Sequence, residues 1–150
     1  MNEKYNVKYS DYNSVSKTSY VIITTYLGEF TGTAKLHEED KDIESRFFGC
    51  EIAEMRAGLK FLKAQKKILK NEYQTLYRLN EKLNKMKDYN KDSLEARQLR
   101  KEMYLSRDKL NTFSVSVNNF ADLIWKKIIN YRQDKENFLQ KIQNKKKDSI

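Results

Sequence analysis

Catalysis by this chain would have to begin at His37, its one histidine, which opens the run His37-Glu38-Glu39-Asp40 with Asp42 close behind. An imidazole beside carboxylates can move protons, and the carboxylates can hold a hard cation through oxygen. The spacing matches no metal or acid–base motif, and the simpler reading is a strand-to-helix junction whose acids favour a helix N-terminus. Cys50, the single cysteine, lies between Arg46 and Arg56, cations that would favour a thiolate. No histidine stands near it to act as a base, so a structural cysteine at the start of a helix is the simpler reading. A glycine-rich phosphate loop, a carboxylate pair and a Ser-His-Asp arrangement are all missing from the sequence. These residues point away from an enzyme, and no cofactor or metal is expected.

The residues that could act by charge are more regular. Arg56, Lys60, Lys63, Lys67 and Lys70 recur at intervals of four, three, four and three, which places them in one line along a helix. Such a stripe covers ~21 Å and could meet successive phosphates of a duplex. Arg97, Arg100 and Arg107, with Tyr104 among them, form a second basic line, and Lys145-Lys146-Lys147 suggest a flexible cationic tail. Contacts of this kind need no base-sequence code, and an acidic protein surface would suit the stripe equally well. A lysine-rich solvated flank of a coiled coil is the competing reading. The aromatic residues Tyr73, Tyr77, Phe113, Phe120, Trp125 and Phe138 could stack on bases, although core packing accounts for most of them.

The distribution of charge puts binding on a par with the solvated-flank reading. Residues 56–110 carry 16 basic and 7 acidic groups, a net +9, whereas residues 1–55 carry 6 and 10, a net −4, and residues 111–150 carry 8 and 4, a net +4. The composition is polar, with 39% hydrophobic and 34% charged residues, as in long helices that bury one narrow stripe. The longest apolar run, Tyr20 to Ile23, is far too short to cross a bilayer, and Met1 to Ser10 lacks the apolar core of a signal peptide. A reducing, cytoplasmic setting without membrane attachment is expected, in keeping with one cysteine.

The elements that must position these residues follow from periodicity. Residues 1–18 show no clear period and read as an irregular or weakly strand-forming lead-in. Ser19 to Tyr26 concentrates β-branched and aromatic residues, Leu27-Gly28-Glu29 supplies a turn, and Phe30 to Leu36 alternates well enough to pair back as a hairpin. The acids after Leu36 predict a short helix to about Phe48, and Gly49 allows a bend. From there Ile52, Met55, Leu59, Leu62, Lys66, Leu69, Tyr73, Leu76, Asn80 and Leu83 keep heptad spacing, with Lys66 and Asn80 as polar exceptions. Residues 88–93 form a turn with Asp92 or Ser93 as the next N-cap. Leu99, Met103, Ser106, Leu110, Phe113, Val117, Phe120, Ile124, Ile128, Tyr131, Phe138 and Ile142 then repeat the spacing, with Lys135 interposed. The poor helix formers of Thr112 to Asn119 predict a break or kink, with a third helix as one outcome.

The expected fold is therefore mainly α with a small β-hairpin: a head over residues 1–48, and a long antiparallel coiled-coil-like helical hairpin with a basic C-terminal tail over residues 49–150. The wording Thr24-Thr25-Tyr26-Leu27-Gly28, Phe30-Thr31-Gly32-Thr33-Ala34-Lys35, His37-Glu38-Glu39-Asp40 and Gly49-Cys50-Glu51-Ile52-Ala53-Glu54-Met55-Arg56-Ala57 resembles small phage and prophage proteins of low-GC Gram-positive bacteria. The likeness covers about residues 20–65. It implies a non-enzymatic protein that handles nucleic acid, or one that disables a host defence nuclease, as anti-CRISPR proteins do, by engaging a nucleoprotein such as a CRISPR-Cas effector. Self-association through the heptad seam, with Lys66 and Asn80 setting register, is the alternative employment.

Overall fold

The computed structural model describes residues 4–35 and 46–148. Three strands, β1 (Asn6–Asn13), β2 (Thr18–Thr25) and β3 (Gly28–Lys35), precede two helices, α1 (Arg46–Asn84) and α2 (Leu94–Asp148). The fold is mainly α with a small antiparallel sheet in the order β1-β2-β3. The short helix expected after Leu36 and ending at about Phe48 lies outside the described residues up to residue 45, and its last residues, Arg46 to Phe48, are the start of α1. The described chain gathers into two compact units, Met1–Phe61 with Asn119–Ile150, and Leu62–Asn118.

In the first unit β2 is the central strand, and its alternation decides which side of the sheet is covered. Ser19, Val21 and Ile23 are buried while Tyr20 and Ile22 between them are only half-buried, the period of two that a one-sided sheet requires. The covered side meets α1: Val21, Ile23, Ala53, Ala57 and Phe61 form one buried cluster, with Leu27, Phe30, Ala34 and Cys50 packed around it. The lead-in, expected to be irregular or weakly strand-forming, contributes a strand here. Its residues are nearly all exposed, so no apolar alternation marks it, and pairing with β2 from Asn6↔Thr24 to Asn13↔Thr18 makes it a strand. The register shifts between Val7 and Tyr9, where one extra residue bulges the edge.

Glycine lets α1 approach the sheet. A Cβ on Gly32 would lie 1.8 Å from the carbonyl oxygen of Ala53 and 2.5 Å from the amide nitrogen of Ala57, both backbone atoms that cannot swing aside. Gly49, expected to bend the chain, instead lies within α1, and a Cβ there would meet the buried Ser19 Oγ at 2.5 Å. Its place follows from close helix–strand contact and not from a turn.

The C-terminal part of α2 runs antiparallel to α1 within this unit. Phe48 stacks on Tyr131 with ring centroids 3.6 Å apart, Glu51 pairs with Lys127, and Phe120 lies closest to Gly58, so the partner number falls as α1 advances. Lys135 is 8% exposed with its ammonium 4.2 Å from the centre of the Tyr131 ring, whereas Phe138, expected in the seam, is 59% exposed. The lysine, with its long apolar stem, occupies the covered position next to the ring.

The second unit pairs the remaining halves of the two helices across the connection 85–93. Ser93 caps α2 by accepting the Ala96 amide at 3.1 Å. The anticipated break does not occur, and α2 is continuous through Thr112 to Asn119. Ser114 Oγ donates to the Leu110 carbonyl at 2.8 Å and Ser116 Oγ to the Thr112 carbonyl, so these hydroxyls are satisfied inside the helix and do not compete with it. Burial of Phe113 and Val117 then outweighs weak propensity. The Lys145-Lys146-Lys147 run, expected as a tail, lies in the last turn of α2.

Gly32→Ala is expected to destabilise the first unit by about 3 kcal/mol, the upper range for forcing atoms into a packed site. Gly28→Ala is the control: its φ of +112° is strained for alanine but nothing lies within 4 Å, so a loss nearer ~1 kcal/mol is expected. Urea melts followed by circular dichroism would compare the two.

Candidate nucleic-acid interface

Heptad spacing controls where the cations can sit. Every α1 seam residue from Ile52 to Leu83 is buried or half-buried, including the polar Lys66 and Asn80. The cations offset from the seam are therefore turned outward. Lys60, Lys63, Lys67 and Lys70 are exposed and Arg56 is half-buried. From Met55 to Asn71 the helix carries no carboxylate at all, so no intrahelical partner neutralises them.

The five cations divide by what they touch. Within the first unit, Arg56 donates through Nη1 to the Thr33 carbonyl at 2.8 Å and Lys60 through Nζ to the Thr31 carbonyl at 2.6 Å. Thr31 and Thr33 lie two residues apart on an edge strand, so their carbonyls face the same way and receive these donors side by side. Within the second unit, Lys63, Lys67 and Lys70 make no ion pair or side-chain hydrogen bond among the described residues. That unit carries 14 basic and 7 acidic residues, a net +7, which leaves 16 and 14, a net +2, for the other.

The second basic line also falls in the Leu62–Asn118 unit. Arg97, Arg100, Lys101, Tyr104, Leu105 and Asp108 line a shallow recess on α2. Arg107 is 3.9 Å from Asp108 and places its guanidinium 5.1 Å from the centre of the Tyr104 ring. Lys101, absent from the expected line, is brought in by its position four residues after Arg97, a spacing that was visible in the sequence. Of the candidate stacking aromatics, Phe113 is buried and Tyr73 and Phe120 half-buried, while Tyr77, Trp125 and Phe138 stay exposed.

Among the described residues no group of three or more His, Cys, Asp or Glu could hold a metal ion. His37 lies outside those residues, and Cys50 packs against the buried cluster of the first unit. No helix of the described residues is long and apolar enough to cross a membrane. Comparison with protein-family models, curated proteins and solved structures finds no match. The functional reading therefore rests on the chain's own residues.

Two tyrosines of the first unit carry shifted titrations. Tyr5 donates to Glu54 Oε1 at 3.0 Å, and burial, reinforced by that carboxylate, pushes its pKa up to about 12. Tyr9 is held up to about 12 by hydrogen bonding with Tyr20 and Asp11. A phenol whose folded pKa exceeds its unfolded value stabilises the fold below pH ~10, and that contribution is lost as pH rises towards 12. Thermal melts of wild type between pH 9 and 12 should therefore show a steeper loss of stability than those of Tyr5→Phe, which has no proton to lose. Parallel curves would refute the assignment.

Proposed function

We propose that this protein is a non-enzymatic binder of nucleic acid or of a nucleoprotein, acting through the exposed cations of the Leu62–Asn118 unit. One observation carries the reading. Lys63, Lys67 and Lys70 stand exposed on a stretch of α1 without carboxylates and, among the described residues, without ion-pair or side-chain hydrogen-bond partners, whereas Arg56 and Lys60 of the same line are engaged by β3. A face kept merely soluble would mix signs. Lys63 to Lys70 covers ~10 Å of helix, within which a nucleic-acid duplex presents several phosphates at one charge per ~1.7 Å. Such contacts would be independent of base sequence. In the setting suggested by the likeness to phage proteins, the polyanion would be the guide RNA or an acidic surface of a host defence nuclease such as a CRISPR-Cas effector, met in the bacterial cytoplasm.

Charge reversal of Lys63, Lys67 and Lys70 to glutamate should abolish binding of a labelled duplex, and neutralisation to glutamine should lower the slope of log K against log salt by about 3. Fluorescence anisotropy across a salt series would read both. Binding that ignores salt, or is missing at low salt, would sink the proposal.

A second reading, self-association, is favoured by a different observation. Asn80 is 7% exposed in the seam, and its Oδ1 and that of Asn84, one turn later, are buried without a hydrogen-bond donor among the described residues. A shallow groove in the same unit, lined in part by Ile68, Leu76 and Leu105, offers apolar surface for a further helix. A polar seam residue of this type specifies register in helical assemblies. Light scattering coupled to size exclusion should then give a mass that rises with concentration, and Asn80→Leu should change it; a constant monomer mass excludes the second reading.

A further inference from the structure

The recess on α2 joins an aromatic ring to cations in a way that phosphate contact alone does not require. Arg97, Arg100, Lys101, Tyr104 and Asp108 are spaced three and four apart, so they share one face, and that face is turned away from the seam residues Leu99, Met103 and Ser106. Tyr104 is 48% exposed, and the Arg107 guanidinium lies 5.1 Å from its ring centre. Asp108, the one acid in the recess, pairs with Arg107. Arg97, Arg100 and Lys101 have no ion-pair partner among the described residues, so the recess keeps three uncompensated positive charges beside an accessible ring.

We infer that this recess is a binding site for single-stranded nucleic acid, in which Tyr104 stacks on an unpaired base while Arg97, Arg100 and Lys101 hold the adjoining phosphates. The inference rests on the reading of the chain as a nucleic-acid binder and adds the class of strand. In a duplex the bases are paired and stacked on one another, so a surface tyrosine on a convex helix cannot reach a base face. A single strand presents its bases, and stacking on an aromatic side chain tolerates any of the four. Arg107 fits this role by holding the ring through a cation–π contact, which limits its rotation before a base arrives. From Arg97 to Arg107 the helix rises ~15 Å, long enough for a few nucleotides to lie along it. The free lysines of α1 offer charge without a comparable ring among them, and so distinguish poorly between strand types.

The test uses the full chain, a fluorescein-labelled oligothymidine and a duplex of equal length, at two salt concentrations. Tyr104→Ala should weaken oligothymidine binding ~10-fold or more and change duplex binding less than twofold. Tyr104→Phe should retain wild-type affinity, because the ring and not the hydroxyl is used. Arg97→Gln with Arg100→Gln should weaken oligothymidine binding and lower its salt slope by about 1.4. Circular dichroism of each variant checks that the helix is intact, as expected for the exposed Arg97 and Tyr104 and the half-buried Arg100. Equal losses on both probes in Tyr104→Ala, or no loss on oligothymidine, overturn the single-strand site while leaving the broader reading in place. Wild type that binds neither probe at low salt overturns both.

Discussion

The first unit depends on the contact between a glycine of a strand and the backbone of a helix. With no side chain at Gly32, the Ala53 and Ala57 turns of α1 sit directly on β3. Two alanines, each fully buried, keep the helix side of the contact equally thin. This close approach brings Phe61 within reach of Phe30 and Tyr26, whose ring centres lie 5.8 and 5.6 Å away, and so completes a cluster that two aliphatic strand residues could not make alone. A short sheet is marginal in water, and here it becomes stable by having one side sealed by a helix at minimal distance.

The same approach changes what two cations do. Once α1 lies that near β3, side chains at positions 56 and 60 are within hydrogen-bond distance of the edge carbonyls of Thr33 and Thr31, and they donate to them. An edge strand with open carbonyls invites pairing with another chain, and a bound lysine or arginine closes that route. Lys63, Lys67 and Lys70 continue the line beyond Phe61, in the other unit, and among the described residues none of them has such a carbonyl to meet. A uniform pattern of five basic residues thus contains two structural members and three available ones.

The second unit shows how packing overrides local preference. Thr112, Ser114, Val115, Ser116 and Val117 would each weaken an isolated helix, yet Phe113 and Val117 supply buried apolar surface at the spacing the seam requires, and the serine hydroxyls return to carbonyls one turn earlier. The helix on which Tyr104 is displayed therefore continues unbroken past the recess.

Much of this was legible in the sequence, because periodicity is a property of the sequence itself. Heptad spacing located both helices and the buried face of α1, β-branched and aromatic content located β2, alternation located β3, and charge counting located the excess of cations. Other features could be decided only by tertiary structure. β1 has little apolar alternation because it is an exposed edge strand, and only its partner makes it a strand. Gly49 looked like a hinge because sequence cannot tell a glycine needed for bending from one needed for close approach. The division of the basic line at Phe61 depends on which atoms lie within a few ångströms, which spacing along one chain does not specify.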